Sequence, residues 1–286
     1  MTYEIRPANE VRLRDYVRAF NAAYRDYYMP ISINEITLRS LIHRDAIDLS
    51  SSVAVLDGNK IVGLSMMAAR PPYGWIGGVG VIPSYRRQGI ARRMIAHLLG
   101  CARQQQLQYV SLEVIDKNVG ALDLYQQFGF ETQRRLVMMD RPQQSVDNIA
   151  SDKFLIVECE AYEALLFYDK FHALRNAWQR SRHALIDLSD NLRGWLIVDT
   201  NCPEHVLGYV VGWMTNKDIH ILDLVGDPTE DNQPLILQIL IQHLHSDEPT
   251  AIGHAFNVGD DDVMYTVLCA LGYEEILVQY EMELQL

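Results

Sequence analysis

The sequence of 286 residues lacks the segments that mark membrane and secreted proteins. No stretch approaches about 18 uninterrupted apolar residues, so no membrane-spanning helix is predicted. The N-terminal residues contain no apolar core of a signal peptide. From these two absences we expect a soluble, cytoplasmic protein.

Metal-ligand spacing is also missing. The four cysteines stand singly, without a Cys-x-x-Cys pair or a Cys/His pattern, and the nine histidines are dispersed. No cysteine has a neighbouring histidine in a nucleophile motif. We therefore expect the four cysteines to be buried and to pack as small apolar side chains. The sequence predicts no metal site and assigns no role to a histidine. The cysteines are Cys101, Cys159, Cys202 and Cys269.

Positive charge is scarce, because 37 acidic side chains face 25 basic ones and the net charge is −12. Binding to nucleic acid or to an anionic membrane depends on phosphate neutralisation by Lys and Arg. We therefore expect neither as a partner. An acidic surface does tolerate a cationic amine.

What is present is a globular composition, with 49% hydrophobic and 22% charged residues, at a length suited to two domains. Apolar periodicity and turn residues predict alternating strands and helices in the first half. Gly129 is placed to end a helix in the left-handed conformation. The predicted strands are 3–6, 52–56, 60–69, 77–82, 109–115 and 134–139, and the helices are 9–24, 36–42, 89–104 and 119–127.

The second half repeats this order. Nearly equal numbers of residues separate Gly63 from Gly129 and Gly208 from Gly272. Internal duplication explains this agreement better than two coincidental α/β stretches. We predict domains at 1–140 and 153–286, joined by a polar linker at 141–152. The repeated strands are 195–199, 205–214, 219–225 and 251–256, and the repeated helices are 235–244 and 263–270.

One segment carries chemistry. A strand ends at Pro83, and a loop with two arginines and Gly89 opens directly into a helix. Backbone N–H groups at a helix N-terminus form an anion cradle, and Arg86 and Arg87 can add charge-assisted bonds to a phosphate. Gly89 allows close approach, and Ala91 is small. The alternative is an ordinary helix start with surface arginines.

This segment resembles the hallmark of the GNAT superfamily of N-acetyltransferases, [Gln/Arg]-x-x-Gly-x-[Gly/Ala], which Arg86 to Ala91 fit. The second family motif is also met, by Asn118, Ala121, Leu124-Tyr125 and Gly129-Phe130. The resemblance covers about Tyr3 to Met139. It implies the α/β fold class and, within it, the α+β type, in which strands and helices form a mixed rather than an all-parallel sheet. We therefore expect two tandem acyl-CoA N-acyltransferase folds, each a mixed, mostly antiparallel sheet flanked by helices.

The resemblance implies acetyl-CoA as co-substrate and no metal. The strand before the loop would splay from its neighbour and pair with pantetheine. Three nearby glycines suit a ligand lying against this strand, and a plain bulge explains Gly77, Gly78 and Gly80 equally well. The implied cofactor-binding residues are Val79, Val81, Arg86, Arg87, Gln88, Gly89, Ile90, Ala91 and Asn118.

Two residues would be catalytic under this resemblance. Tyr125 would be the general acid that protonates the leaving thiolate, since a phenol stays protonated at neutral pH. Core packing is the alternative for this tyrosine. Glu113 would be a general base, as in some family members. No Glu or Asp occurs between Tyr73 and Pro83, the other usual position.

The acceptor would be a primary amine of a small molecule or peptide, covered by the segment 24–31. Its three tyrosines and Asp26 can bind an amine, or can simply pack on the sheet. The leading function is N-acetyl transfer by direct attack in a ternary complex. A non-catalytic acyl-CoA sensor or scaffold is the alternative. The oligomeric state is not predicted.

The second half departs from the family motifs at the cofactor loop and at the position of the tyrosine. Its loop carries Asp227, Glu230 and Asp231, with no arginine near them, and Leu268 stands at the position equivalent to Tyr125. Carboxylates repel a pyrophosphate. We therefore expect a degenerate domain that kept the fold and lost the cofactor site.

Overall fold

The computed structural model describes residues 3–143 and 152–286. The chain forms two compact units, Met1–Gln133 with Tyr280–Leu286, and Arg134–Gln279. These boundaries differ from the predicted ones, because the strand at 134–139 belongs to the second unit and the C-terminal residues belong to the first. The predicted linker 141–152 falls mostly outside the described residues.

The first unit is a mixed sheet flanked by helices. Strands β1 to β4 pair antiparallel in sequence order, and β4 pairs parallel with β5. The end of the C-terminal strand lies next to β5, where the Leu286 amide donates to the Gln108 carbonyl at 2.9 Å. The strands are β1 (Glu4–Pro7), β2 (Val53–Asp57), β3 (Lys60–Arg70), β4 (Tyr73–Val81) and β5 (Tyr109–Ile115), and the helices are α1 (Leu13–Ala23), α2 (Glu35–Arg44), α3 (Ile90–Gln104) and α4 (Val119–Gln127).

The core of this unit forms where α3 meets the sheet. The predicted apolar face of α3 is buried, and each of its side chains contributes about 1.5–3 kcal/mol by burial. Gly129 follows α4 with φ +92°, as predicted. The buried face of α3 consists of Ile90, Met94, Ile95, Leu98 and Leu99.

The glycines of β4 are explained by a bulge and by close packing. The pairing with β3 shifts register between Leu64 and Met66, and Gly78 has φ +61°. A Cβ on Gly77 would lie 2.2 Å from the Trp75 ring, and one on Gly80 would lie 3.0 Å from Tyr24. These contacts leave no need to invoke a ligand for the glycines.

The second unit repeats the plan with additions. Its neighbour order is β12-β6-β11-β10-β9-β8-β7, with β10 and β11 parallel and the other registered pairs antiparallel. The sequence had not predicted β7, β12 or the short helices α5 to α7. The elements that follow α4 are β6 (Glu131–Arg141), β7 (Phe154–Glu160), α5 (Ala161–Leu165), α6 (Tyr168–Phe171), α7 (Arg182–Leu188), β8 (Arg193–Asp199), β9 (Cys202–Met214), β10 (Asp218–Gly226), α8 (Gln233–Asp247), β11 (Ile252–Gly259), α9 (Val263–Ala270) and β12 (Glu274–Gln285).

A buried arginine lies where β10 and β11 part. Arg180, 2% exposed, donates from Nε to the Leu222 carbonyl at 3.0 Å and from Nη1 to the Asn257 carbonyl at 3.3 Å. Leu222 lies on β10 and Asn257 on β11, so one guanidinium bridges both strands. Its Nη2 donates to Asp223 Oδ1 at 2.9 Å.

Asp223 is fully buried and has further partners. The Tyr209 hydroxyl donates to Oδ2 at 2.7 Å, and His172 Nε2 lies 2.9 Å from the same oxygen. Burial alone would raise the pKa of Asp223, but His172 and Arg180 hold it at about 2. The carboxylate therefore stays charged and ties Arg180 into the strand gap.

Two other expectations concern surface and burial. Within residues 3–143 and 152–286, no helix is both long and apolar enough to cross a bilayer. The expectation that the cysteines are buried is wrong. Three are half-buried and Cys269 is exposed.

We expect Arg180→Met to lower the free energy of unfolding by about 3–5 kcal/mol at pH 7, since it removes the guanidinium that pairs with a buried carboxylate. Urea denaturation measures this loss. The double variant Arg180→Met/Asp223→Asn should recover much of it. The control Arg193→Met removes an exposed pair with Glu158 and should cost under about 1 kcal/mol.

The pH dependence has a defined sign. The folded pKa of Asp223, about 2, lies below the unfolded value of about 3.9, so its contribution is present above pH 4 and lost as pH falls towards 2. Equal stability of Arg180→Met and the parent chain at pH 7 would contradict this account.

Candidate active site

A cavity of about 640 Å³ opens in the first unit beside β4 and β5. Among the described residues, the parallel pairing of these strands runs from Tyr73↔Tyr109 to Ile76↔Leu112 and then stops. The following parts of both strands contribute Val79, Val81 and Glu113 to the cavity wall. The strands therefore splay, as the family resemblance led us to expect.

The loop after β4 brings a helix N-terminus to this cavity. Gly89 has φ +76° and directly precedes α3. A Cβ on Gly89 would meet nothing within 4 Å, so the backbone is open to a ligand. Gly89, Ile90 and Ala91 line the cavity, and first-turn N–H groups of a helix have no intrahelical acceptor. This geometry suits an anion.

Arg86 lines the cavity, and its guanidinium is already bound to other groups of the protein. Its guanidinium donates to both carboxylate oxygens of Asp26, at 2.8 and 2.7 Å, and to the carbonyls of Ala23 and Val81, at 3.0 and 3.1 Å. The bonds from Arg86 lower the pKa of Asp26. Arg86 therefore fastens the chain after α1 to the end of β4, and those donors are not directed at a phosphate.

Arg87 is the arginine suited to an anion. It is exposed, lines the cavity and has φ +63°. In the part of the chain that the structure describes, no side-chain bond is recorded for it. Gln88 is not a lining residue, because its carboxamide oxygen accepts a hydrogen bond from the Tyr3 hydroxyl.

Tyr125 lies on α4 with 5% of its surface exposed, and it lines the cavity. Its ring makes an edge contact with Phe130, at 6.0 Å between centroids. Burial raises the pKa of Tyr125 well above its ordinary value, and Tyr27 adds to this. The hydroxyl is therefore protonated at neutral pH. Tyr125 therefore packs against Phe130 and also borders the cavity, so core packing does not exclude a role at the site.

Glu113 reaches the same cavity from β5. The Trp75 indole N–H donates to its Oε2 at 2.7 Å. The two predicted catalytic side chains thus border one cavity. The sequence motifs did not indicate Trp75, which lies outside them.

Tyr27 is a site residue that the motifs also did not identify, although the aromatic run 24–28 pointed to its segment. It lines the cavity and is hydrogen-bonded to the Asn118 side chain. Burial raises the pKa of Tyr27, and the bond with Asn118 opposes this rise. Tyr24 also lines the cavity, and it is buried with its ring stacked on Phe20 at 4.5 Å. The segment therefore both packs and lines the cavity, and the binding of an amine by it stays a prediction.

Residues 13–130 match the model of the Acetyltransferase (GNAT) family. This part of the chain is a GNAT domain. The match supports acyl-CoA N-acyltransferase activity, and the family typically uses acetyl-CoA as co-substrate. A comparison with curated protein sequences finds no match.

The whole chain has the tandem GNAT fold. A tandem GNAT protein from the clavulanic acid biosynthesis pathway superposes with a TM-score of 0.70 at 14% identity, covering 99% of this chain and 98% of that one. A GCN5-related N-acetyltransferase from Sphaerobacter thermophilus gives 0.74 at 14% identity, covering 99% and 95%. At this identity the likeness concerns the fold.

The second GNAT-like unit has a different loop after its strand β10. Asp227, 1% exposed, accepts from Lys170 Nζ at 2.7 Å and from the Thr229 hydroxyl at 2.7 Å. Burial would raise the pKa of Asp227, but these bonds hold it at about 2. The loop contains no arginine, but Asp227 is nevertheless compensated by a cation, Lys170, which is remote from it in sequence. Leu268 on α9 is fully buried.

We expect Gly89→Asp to abolish CoA binding to the GNAT domain, because it places a carboxylate in the anion cradle and strains a positive φ. Isothermal calorimetry measures the affinity. Gly58→Asp is the matched control: Gly58 also has a positive φ and an open Cβ direction, and it does not line the cavity. Wild-type CoA affinity in Gly89→Asp would overturn the assignment of this loop.

Proposed function

We propose that the GNAT domain transfers an acetyl group from acetyl-CoA to a primary amine of a small molecule or peptide. The observation that carries this proposal is that Tyr125 and the N-terminus of α3 border one cavity at the strand splay. An anion site and a buried phenol then share one ligand-sized space.

The cofactor residues divide by position. The pyrophosphate lies against the amides of Gly89, Ile90 and Ala91, with the Arg87 guanidinium beside it. The pantetheine arm runs along the splayed strand at Val79 and Val81. Asn118 borders this path at the start of α4, where its side chain also holds Tyr27. Arg86 contributes to the site indirectly, because its hydrogen bonds to Asp26 hold the segment that carries Tyr27.

The reaction is a direct transfer. Glu113 takes a proton from the acceptor ammonium, directly or through water, and the freed amine nitrogen attacks the acetyl carbon. The C–S bond of the tetrahedral intermediate breaks, the thiolate takes the proton of Tyr125, and the second proton of the nitrogen passes to solvent. Among the described residues no cysteine lines the cavity, which supports a ternary complex over an acyl-enzyme.

One observation favours the alternative, a non-catalytic acyl-CoA sensor. The Trp75 N–H donates to Glu113 Oε2, so one oxygen of the proposed general base is already engaged by the protein. Measuring thiol release from acetyl-CoA over a panel of primary amines separates the two functions. Acceptor-dependent release supports the transferase, whereas tight acetyl-CoA binding without release supports the sensor.

We expect Tyr125→Phe to lower kcat about 10²–10⁴-fold with acetyl-CoA affinity nearly intact, because the hydroxyl acts as the thiolate leaves. Steady-state kinetics and calorimetry measure the two quantities. Tyr109→Phe, on β5 and stacked on Tyr73 outside the cavity, is the control. Unchanged turnover in Tyr125→Phe would remove this residue from the mechanism.

We also expect one CoA per chain, bound by the GNAT domain. In the second unit Arg180 fills the strand gap, and Asp227 stands in the loop. The cavity beside that loop measures about 170 Å³, against about 640 Å³ in the GNAT domain. Titration of the full chain should give a stoichiometry of one, which Gly89→Asp reduces to none. A stoichiometry of two would show a second functional site.

A further inference from the structure

A hydrogen bond joins β4 to β5 at the place where the two strands part. Trp75 on β4 is registered with Ser111 on β5, and Glu113 follows Ser111 by two residues, so the three side chains lie on one face of the sheet. The Trp75 indole N–H donates to Glu113 Oε2 at 2.7 Å. An indole N–H can only donate and an ionised carboxylate can only accept, so the direction of this bond is fixed.

The two partners of this bond have different surroundings. Glu113 borders the cavity, whereas Trp75 is 6% exposed and is absent from the cavity wall that the described residues form. The registered pairing ends at Ile76↔Leu112. The donor therefore belongs to a paired residue, and the acceptor belongs to the first residue of β5 beyond the pairing. Trp75 reaches a ligand in the cavity through Glu113.

A glycine makes room for the indole. A Cβ on Gly77 would lie 2.2, 2.4 and 2.9 Å from three atoms of the six-membered ring of Trp75. Trp75 and Gly77 are two residues apart on β4, so the ring lies over the Gly77 backbone on their common face. If the register continued, Gly77 would be the residue opposite Glu113. The indole thus occupies the space that a side chain at position 77 would take.

The bond restricts a side chain that otherwise rotates. A glutamate has several rotatable bonds, and the torsion of its carboxylate is broad. A general base must lie within about 2.6–3.2 Å of the group whose proton it takes, or reach it through one water. A misplacement of about 1 Å can cost about 10²-fold in rate. The bond that engages one oxygen of Glu113 therefore also sets the position of the other.

We propose that Trp75 is a positioning residue, which holds the Glu113 carboxylate in the orientation that takes a proton from the acceptor ammonium, and that Gly77 is needed to seat the indole. This inference rests on the proposed acetyl transfer and concerns two residues outside both family motifs. It also gives the Trp75–Glu113 bond a measurable consequence. A positioning bond raises turnover, whereas in a non-catalytic sensor there is no turnover to raise.

The kinetic test is a double-mutant cycle in the full chain, with acetyl-CoA and the most reactive amine of the panel. Trp75→Phe should lower kcat about 10–100-fold and leave the KM for acetyl-CoA nearly unchanged, because the indole does not border the cavity. In the Glu113→Gln background, Trp75→Phe should have no further effect on kcat, because Trp75 acts through the carboxylate.

Two further variants complete the kinetic test. Gly77→Ala should lower kcat as Trp75→Phe does, because the added methyl group displaces the indole. Trp213→Phe is the control, since it changes an exposed tryptophan of β9 in the second unit, and it should keep the parental kcat. Melting temperatures identify a variant that does not fold. Gly77→Ala, which keeps the indole, replaces Trp75→Phe in the cycle if Trp75→Phe does not fold.

A second measurement needs no turnover. The chain has four tryptophans, so the NMR spectrum of the nitrogen-labelled protein should show four indole N–H signals. Trp75→Phe identifies the signal of Trp75, because that signal disappears. Glu113→Gln should shift the Trp75 signal and leave the other three in place, since Glu113 accepts its hydrogen bond.

The outcomes separate this proposal from the function on which it rests. Absence of acceptor-dependent thiol release by the parent chain would overturn the transferase, and with it the role of Trp75, even where the indole signal shifts. In an active parent chain, an indole signal that Glu113→Gln leaves unshifted would overturn the positioning role alone. An equal loss of kcat from Trp75→Phe in both backgrounds would do the same.

Discussion

The parting of a parallel strand pair is the constraint on which both units depend. In the GNAT domain the pairing of β4 with β5 ends at Ile76↔Leu112, and in the second unit the pairing of β10 with β11 ends at Ile221↔Ala255. Backbone polar groups that leave a ladder need other partners, because burying them unpaired is costly. Each unit meets this need differently.

In the second unit a side chain of the protein takes the place of the missing strand-to-strand hydrogen bonds. The guanidinium of Arg180 bonds to a carbonyl from each strand, and Asp223 keeps the charge balanced. In the GNAT domain the gap stays open as a cavity with a helix N-terminus at its rim. One divergence therefore supports a ligand site in one unit and a buried ion pair in the other.

Contacts between residues remote in sequence decide which charged side chains at the open cavity are paired. Both loop arginines line the cavity, but Arg86 is paired with Asp26 and holds the chain after α1, whereas no such pair is found for Arg87 among the described residues. The same chain segment places Tyr27 next to the Asn118 side chain. The anchoring of one arginine thus shapes the cavity wall around Tyr125.

Much of the site follows from local sequence. The strand, the Gly89 turn and helix α3 are neighbours in the chain, so their order alone predicts an anion cradle. Tyr125 is found in the same way, since its motif lies within one helix and its flanking turn. The helices 119–127 and 263–270 were predicted with their observed ends, because a glycine stops each at a left-handed position.

Contacts between distant residues could not be read from the sequence. Arg86 and Asp26 are 60 positions apart, and Arg180 and Asp223 are 43 apart. The same holds for Asp218, His220 and His254, which become neighbours through strand register. The sequence by itself determined the repeated α/β plan, the cradle loop and the tyrosine motif, because each depends on residues within one or two turns of chain. The tertiary structure alone decided which arginine is paired with a carboxylate, which strand gap is filled and which histidines meet, because side chains remote in sequence are brought together only by folding.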